Sequence, residues 1–202
     1  MKIIDCIQGS SEWHAARCGI PSASNFDKIV TTKGEPSKQR EKYLYQLAGE
    51  RIIGKAEETY QNGAMLRGIE MEAEARLLYE LRTSETVQQV GFCVTEGKHI
   101  FGASPDGVIG EDGLLEIKCP LLSTHVSYLL GGCLPVEYFQ QVQGQLLVTG
   151  RKWLDFVSYY PGIKPHVYRV KPDKKFMEAL EYELNGFCVE LEVITKKLKE
   201  KA

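Results

Sequence analysis

Several familiar devices are missing from this sequence, and each absence narrows what the chain can be. None of its six cysteines stand as C-x-x-C, and only four histidines are present. No zinc constellation can be drawn, nor a closely spaced set of four thiolates for an iron–sulfur cluster. The cysteines, at positions 6, 18, 93, 119, 133 and 188, fit reduced, mostly buried thiols. No apolar run approaches the ~20 residues of a membrane span. The opening MKIIDCIQGSSEW is too polar for a secretory signal, so a cytoplasmic protein is expected. An excess of one charge is also lacking. The formal net charge of −2 argues against a bulk polyanion binder and leaves room for a local basic track. No internal repeat or low-complexity tract is present.

What is there is ordinary globular material: 202 residues, 43% hydrophobic and 26% charged. That is enough to bury a real core, and one domain over 1–202 is expected. Residues 1–9 read as a lead-in. Ser10-Ser11-Glu12 starts a helix that stops near Gly19, and Pro21-Ser22-Ala23-Ser24 opens a second, running to about Val30. A loop at 31–37 precedes a helix over 38–54 with Tyr43, Leu44, Leu47 and Ile52 inward, then a loop at 55–63. Over 64–81, Met65, Ile69, Ala73, Leu77 and Leu81 recur every four residues and predict a helix with these side chains inward. Residues 85–93 and 94–101 read as strands meeting near Gly97, in a sheet built largely of consecutive antiparallel strands. Helices over 123–130 and 135–149, strands over 153–160 and 166–170, and a long helix over 172–200 complete the chain.

Chemistry concentrates in residues 102–120, GASPDGVIGEDGLLEIKCP. Apolar arms flank the turn-forming run Gly110-Glu111-Asp112-Gly113, which predicts a tight β-hairpin. Such a turn brings Asp106 beside Glu116. Glu116 and Lys118 share a strand face, and Ile117 points to the core. Two carboxylates side by side repel, and a shared cation relieves the repulsion. A hard divalent metal suits oxygen ligands and can activate water on a phosphoryl group. Lys118 then stands where it can orient that water or help deprotonate it. Acid-x-Lys alone also describes a solvated surface pair; the longer string is the more specific signal.

The string Pro105-Asp106…Glu116-Ile117-Lys118 resembles the PD-(D/E)xK nuclease core. The words Ser-Pro-Asp-Gly and Glu-Ile-Lys-Cys-Pro are similar to the phage lambda-type alkaline exonuclease family in particular. Trp13-His14-x-x-Arg17-x-Gly19, followed by Ser22-Ala23-Ser24, resembles the same family. So does Gly68-x-x-x-Glu72, although Glu70 is an alternative to Glu72. Taken alone, Arg17 and Ser24 also read as a surface arginine and a helix cap. His14 reads as packed or hydrogen-bonded, and Trp13 as core.

The resemblance implies an α/β fold with a restriction-endonuclease-like core, a central mixed sheet flanked by helices. It implies an exonuclease, dependent on Mg²⁺ with Mn²⁺ as a substitute, that digests one strand of linear double-stranded DNA from the 5′ end. The products would be mononucleotides and a 3′ single-stranded overhang for strand annealing. Asp106, Glu116, the Ile117 carbonyl and Glu72 are the implied metal ligands, with Lys118 and Gln141 as further catalytic groups. Arg17, Ser24 and Ser104 are the implied grip on the terminal phosphate, with Tyr138 and Gln143 as further DNA contacts. Thr124 stands where the family carries an arginine, a departure that weakens the expected hold on a 5′-phosphate. A ring-shaped homotrimer, a single-strand annealing protein as partner, no membrane association and a phage or prophage origin are also implied. An endonuclease on the same core, or a non-catalytic module binding DNA ends, are the rival readings.

Overall fold

The computed structural model describes residues 1–56 and 63–201. In chain order the first elements are β1 (Lys2–Ile4), α1 (Ser11–Arg17), a 3₁₀ helix (Ala23–Lys28), α2 (Arg40–Ile53) and α3 (Gly63–Thr83). Five short strands follow: β2 (Val87–Gln88), β3 (Phe92–Val94), β4 (Gly102–Ala103), β5 (Gly107–Ile109) and β6 (Gly113–Lys118). Then come α4 (Leu122–Gly131), a 3₁₀ turn (Val136–Tyr138), α5 (Phe139–Thr149), β7 (Trp153–Ser158), β8 (His166–Val170) and α6 (Lys174–Lys199). No helix among the described residues is long and apolar enough to cross a membrane.

The main sheet is mixed, in the order β2-β5-β6-β7-β8. β5 and β6 form the expected hairpin, with Gly107 opposite Leu115 and Ile109 opposite Gly113. β6 then runs parallel to β7, with Glu116 opposite Phe156. A parallel neighbour needs a crossover, which α4 and α5 provide. Both faces of β6 are buried. Leu115 and Ile117 pack with Ala75 and Tyr79 of α3, while Leu114 packs with Val142 and Leu146 of α5. A third cluster joins α2, α6 and the first 3₁₀ helix through Tyr43, Leu47, Phe187 and Phe26. α6 is capped by Asp173, whose carboxylate accepts from Phe176 N at 3.0 Å.

Several expectations are corrected. The lead-in is a strand: β1 pairs with β3, which pairs with β4, making a second, three-stranded sheet. The strands expected over 85–101 are therefore divided between two sheets. The helix opened by Pro21 is a short 3₁₀ helix, and its N-cap Ser22 makes no side-chain capping bond. The helix over 135–149 divides into a 3₁₀ turn and α5. Ile52 is exposed. Most of the loop expected at 55–63, and the side chain of Met65, lie outside the described residues. The cysteines are all free, but only Cys93 and Cys188 are buried.

The largest correction concerns α3. Its apolar stripe faces outward: Ile69, Leu77 and Leu81 are 59%, 57% and 73% exposed. The buried positions are Ala75 and Tyr79. Polar anchors set this rotation. Tyr79 OH donates to buried Asp155 at 2.7 Å, and Tyr159 OH donates to Glu74 at 2.6 Å. A buried carboxylate must be satisfied, and Arg169 completes it with two bonds of 2.8 Å.

Gly144 of α5 lies against the first 3₁₀ helix. A Cβ there would stand 2.3 Å from Cδ2 of Phe26 and 3.3 Å from Ala23 Cβ. Phe26 is fully buried and cannot swing away. Alanine normally favours a helix over glycine by about 1 kcal/mol. Here Gly144→Ala is expected to destabilise the protein by about 1–3 kcal/mol through overpacking, read by urea denaturation. Unchanged or raised stability would mean that Phe26 repacks freely.

Candidate active site

Glu116 sits mid-sheet and is 1% exposed. Strand alternation turns it, with Lys118, toward α5. Its Oε1 accepts from Lys118 Nζ and from Gln141 Nε2, the latter at 2.5 Å; its Oε2 accepts from Gln145 Nε2 at 2.6 Å. Asp106 lies one residue before β5, opposite Glu116 when the hairpin register is extended. Its Oδ2 accepts from the Ile117 N–H at 2.6 Å. The N–H and C=O of one strand residue point to the same edge, so the Ile117 carbonyl also faces the edge that β5 has vacated. Burial, and then the charge of Glu116, push the Asp106 carboxyl well above its ordinary range. Burial also raises Glu72, with Arg76 opposing and Glu116 adding to the rise. Burial would lower the Lys118 ammonium, but Glu116 and Asp106 outweigh it and push it upward. In this arrangement Lys118 is held as a cation that donates to Glu116.

The second cluster surrounds Arg17, at the end of α1. Nη1 donates to Ser104 Oγ at 3.2 Å; Nη2 donates to Ser22 Oγ at 3.0 Å and Ser24 Oγ at 3.1 Å. Trp13 lies under the guanidinium, 4.2 Å from ring centroid to Cζ, and its Nε1 donates to Ser104 Oγ at 2.9 Å. Burial lowers the Arg17 pKa. Among the described residues its hydrogen bonds go only to hydroxyls. A desolvated guanidinium with neutral partners is set to receive an anion. The turn after α1 is clamped: Gly19 N–H donates to Glu50 at 2.9 Å, and Arg51 Nε donates to the Gly19 carbonyl at 2.8 Å. Gly102 N–H donates to the Pro21 carbonyl at 2.9 Å, which brings the serines of 22–24 beside Ser104. Ser104 is two residues from Asp106, about 7 Å of extended chain.

Asp106, Glu116, Ile117, Lys118, Glu72 and Gln141 thus come together, as do Arg17, Ser24 and Ser104. Tyr138 lies beside Lys118, whose Nζ is 5.3 Å from the ring centroid. Glu70 is exposed, so Glu72 is the acid of α3 that reaches the cluster. Gln143 does not join either group. Its amide is spent on the backbone, donating to the Lys171 carbonyl at 3.0 Å and accepting from Asp173 N at 2.8 Å. His14 is exposed, with only its edge against Trp13. Trp13 is pocket wall and not core. Two participants escaped the sequence reading: Ser22 and Gln145. Gln145 was legible in principle, since it lies one turn from Gln141 on the same helix face. Ser22 stands only as part of the string that opens a helix until its hydroxyl is seen to accept from Arg17. Arg67 donates to the Pro120 carbonyl at 3.2 Å and lies over the Tyr160 ring, close to the turn that leads to Thr124.

The acid cluster offers only oxygen donors, three carboxylates and one carbonyl, which suits a hard divalent cation. Among the described residues no three acids, histidines or cysteines enclose one point. Each carboxylate is instead drawn to an internal partner: Glu116 to Lys118 and the glutamines, Glu72 to Arg76, Asp106 to the backbone. The donor set fits such an ion once Glu116 and Glu72 turn from those partners.

Comparison with known proteins bears on the family and the fold. The profile of the YqaJ-like viral recombinase domain matches residues 12–152. The fold is similar to that of an alkaline exonuclease, LHK-Exo, from Laribacter hongkongensis, with 37% identity and a TM-score of 0.86 over 95% of this chain and 97% of that one. A second structure of LHK-Exo, in complex with dAMP, matches with the same values. A phage-related exonuclease from Haemophilus somnus shares the fold at 12% identity, with a TM-score of 0.67 over 91% of this chain and 96% of that one. Among curated protein sequences none matches. The profile spans both the Arg17 pocket and the Asp106–Lys118 hairpin, so the chain belongs to the YqaJ-like viral recombinase family.

Proposed function

We propose that this protein is a divalent-metal-dependent deoxyribonuclease that digests one strand of linear double-stranded DNA from its 5′ end to mononucleotides. A 3′ single-stranded overhang for recombination by strand annealing would remain. One observation carries the reading: the Arg17 pocket, where among the described residues the guanidinium hydrogen-bonds only to hydroxyls, and the acid cluster are joined by the short segment 104–106. An anion held at Arg17 beside Ser104 would lie next to the acids along this segment, the layout needed to act from a strand end. The relationship to LHK-Exo, an alkaline exonuclease with a dAMP complex, supports both the activity and a mononucleotide product.

Asp106, Glu116, the Ile117 carbonyl and Glu72 would hold Mg²⁺, with Mn²⁺ as a substitute. When bound, such an ion lowers the pKa of water and offsets charge on the phosphodiester. Lys118, held protonated, donates to the attacking water or a non-bridging oxygen and keeps it in line. Gln141 and Gln145 fix the Glu116 carboxylate, and Tyr138 shields Lys118 from bulk water. Arg17, with Ser22, Ser24 and Ser104, grips the terminal 5′-phosphate. Loss of the 3′-oxygen leaves a new 5′-phosphate on the shortened strand, which fits the same pocket. We further infer a single nuclease domain, phage or prophage origin, a homotrimeric ring that keeps hold of the duplex, and a single-strand annealing partner.

Two measurements test this. A linear duplex carries a 5′-phosphate at one end, a 5′-hydroxyl at the other and a label at each 3′ end. Mg²⁺ should release mononucleotides from the phosphorylated strand, EDTA should abolish release, and Arg17→Ala should remove the preference for the phosphorylated end. Nicking of closed circular DNA with no end-dependent release would turn the assignment to an endonuclease. Separately, Lys118→Ala should bind duplex ends almost as wild type does while losing turnover by at least about 10²-fold. Wild-type turnover in that variant would refute the role of Lys118.

A further inference from the structure

Glu72 differs from the other acids of the cluster in having a guanidinium partner of its own. Its Oε1 accepts from Arg76 Nη2 at 2.5 Å, one turn along α3. The Arg76 side chain is 13% exposed and that of Glu72 32%. With its amide oxygen turned inward, Gln89 accepts from Nη2 and Nη1 of the same guanidinium at 3.1 and 3.2 Å. Gln89 follows β2, and the register of β2 on β5 places it opposite Gly107, beside Asp106. Arg76 therefore bridges Glu72 of α3 and Gln89 at the end of β2. Among the described residues Glu72 is the one carboxylate that pairs with Arg76, and Arg76 Nε is buried with no acceptor. This is an under-used donor fork inside a site built for anions and a cation.

Resting on the metal-dependent reading above, we propose that Arg76 is an exchangeable counter-ion for Glu72. It holds that carboxylate when no metal is bound, and turns to a phosphate of the DNA strand when Glu72 ligates the ion. The physical reason is competition. A carboxylate cannot serve a guanidinium and a divalent ion at full strength, and a buried guanidinium left without an anion is costly. A phosphate suits the planar fork, which can bind it through two parallel bonds. Metal binding without DNA must displace Arg76 from Glu72 with nothing in return; metal binding with DNA need not. Arg76 thus couples metal and substrate, and the coupling is reciprocal. It is a positioning residue, acting through Glu72.

The test is calorimetric titration of Mn²⁺ into the full-length, DNA-free protein, with duplex-end affinity then measured in Ca²⁺. Arg76→Met should bind Mn²⁺ about fivefold tighter than wild type or more, while its duplex-end affinity falls by a similar factor. Arg76→Lys keeps the charge and should hold Mn²⁺ affinity near wild type. Arg76→Gln, closer in shape and able to hydrogen-bond Glu72, replaces Arg76→Met should that variant not fold, and should also tighten Mn²⁺ binding. Unchanged or weaker Mn²⁺ affinity in the folded neutral variant overturns the proposal and leaves Arg76 a structural brace. Glu72→Gln separates this failure from a wider one. If it weakens Mn²⁺ binding while the Arg76 variants do not tighten it, only the counter-ion role falls. If Glu72→Gln leaves Mn²⁺ binding unchanged, the ligand assignment of Glu72 falls, and the role of Arg76 with it.

Discussion

A carboxylate in the middle of a sheet, closed off from water, is the constraint on which much of this structure depends. Left alone, a buried Glu116 would cost several kcal/mol. It is held by an ammonium two residues along its own strand and by two glutamines one turn apart on α5. Those bonds fix which face of α5 meets the sheet. The facing helix then leaves little room on its other side, where Gly144 lets Phe26 approach. Phe26 belongs to the 3₁₀ helix whose first turn supplies Ser24, so the packing that satisfies Glu116 also sets the floor of the anion pocket.

The two halves of the site use the same principle in opposite senses. In the acid cluster, negative groups are crowded and partly satisfied by Lys118 and Arg76, which leaves them ready for a stronger cation. Around Arg17, a positive group is desolvated among hydroxyls and an indole, which leaves it ready for an anion. Segment 104–106 carries one residue of each half. It is tied to the neighbouring chain by Gln8, whose Nε2 donates to the carbonyls of Val90 and Pro105, each at 2.8 Å. In the proposed reading, a substrate that presents a terminal phosphate and, beyond it, a phosphodiester would be complementary to both halves at once.

α3 shows how a polar anchor can overrule an apolar pattern. The four-residue recurrence of Ile69, Leu77 and Leu81 describes an amphipathic helix correctly but assigns the wrong face to the core. Rotating the helix to bury that stripe would strand Asp155 without Tyr79 and turn Glu72 away from the cluster. Several exposed apolar side chains are tolerated where the alternative removes a hydrogen bond from a buried carboxylate and an acid from the cluster. The glutamines of α5 follow the same logic. A run of four in six residues suggests some solvent exposure, yet Gln140, Gln143 and Gln145 are buried and Gln141 half-buried. α5 is enclosed, and each amide nitrogen donates to a specific acceptor, while the Gln145 amide oxygen is buried without a partner among the described residues.

The sequence by itself determined what short-range geometry controls. The turn at 110–113 and strand alternation put Asp106, Glu116 and Lys118 together. Arg17 and the serines of 22–24 are only a few residues apart, and the long stripe of α6 is regular enough to read directly. The tertiary structure decided what depends on partners distant in the chain. These are the rotation of α3, the division of the strands into two sheets, the recruitment of Gln145 and Ser22, and the diversion of Gln143 to the backbone of 171–173. In each case the choice is between burying apolar area and satisfying a particular polar atom. That comparison can be made only once the competing groups are side by side.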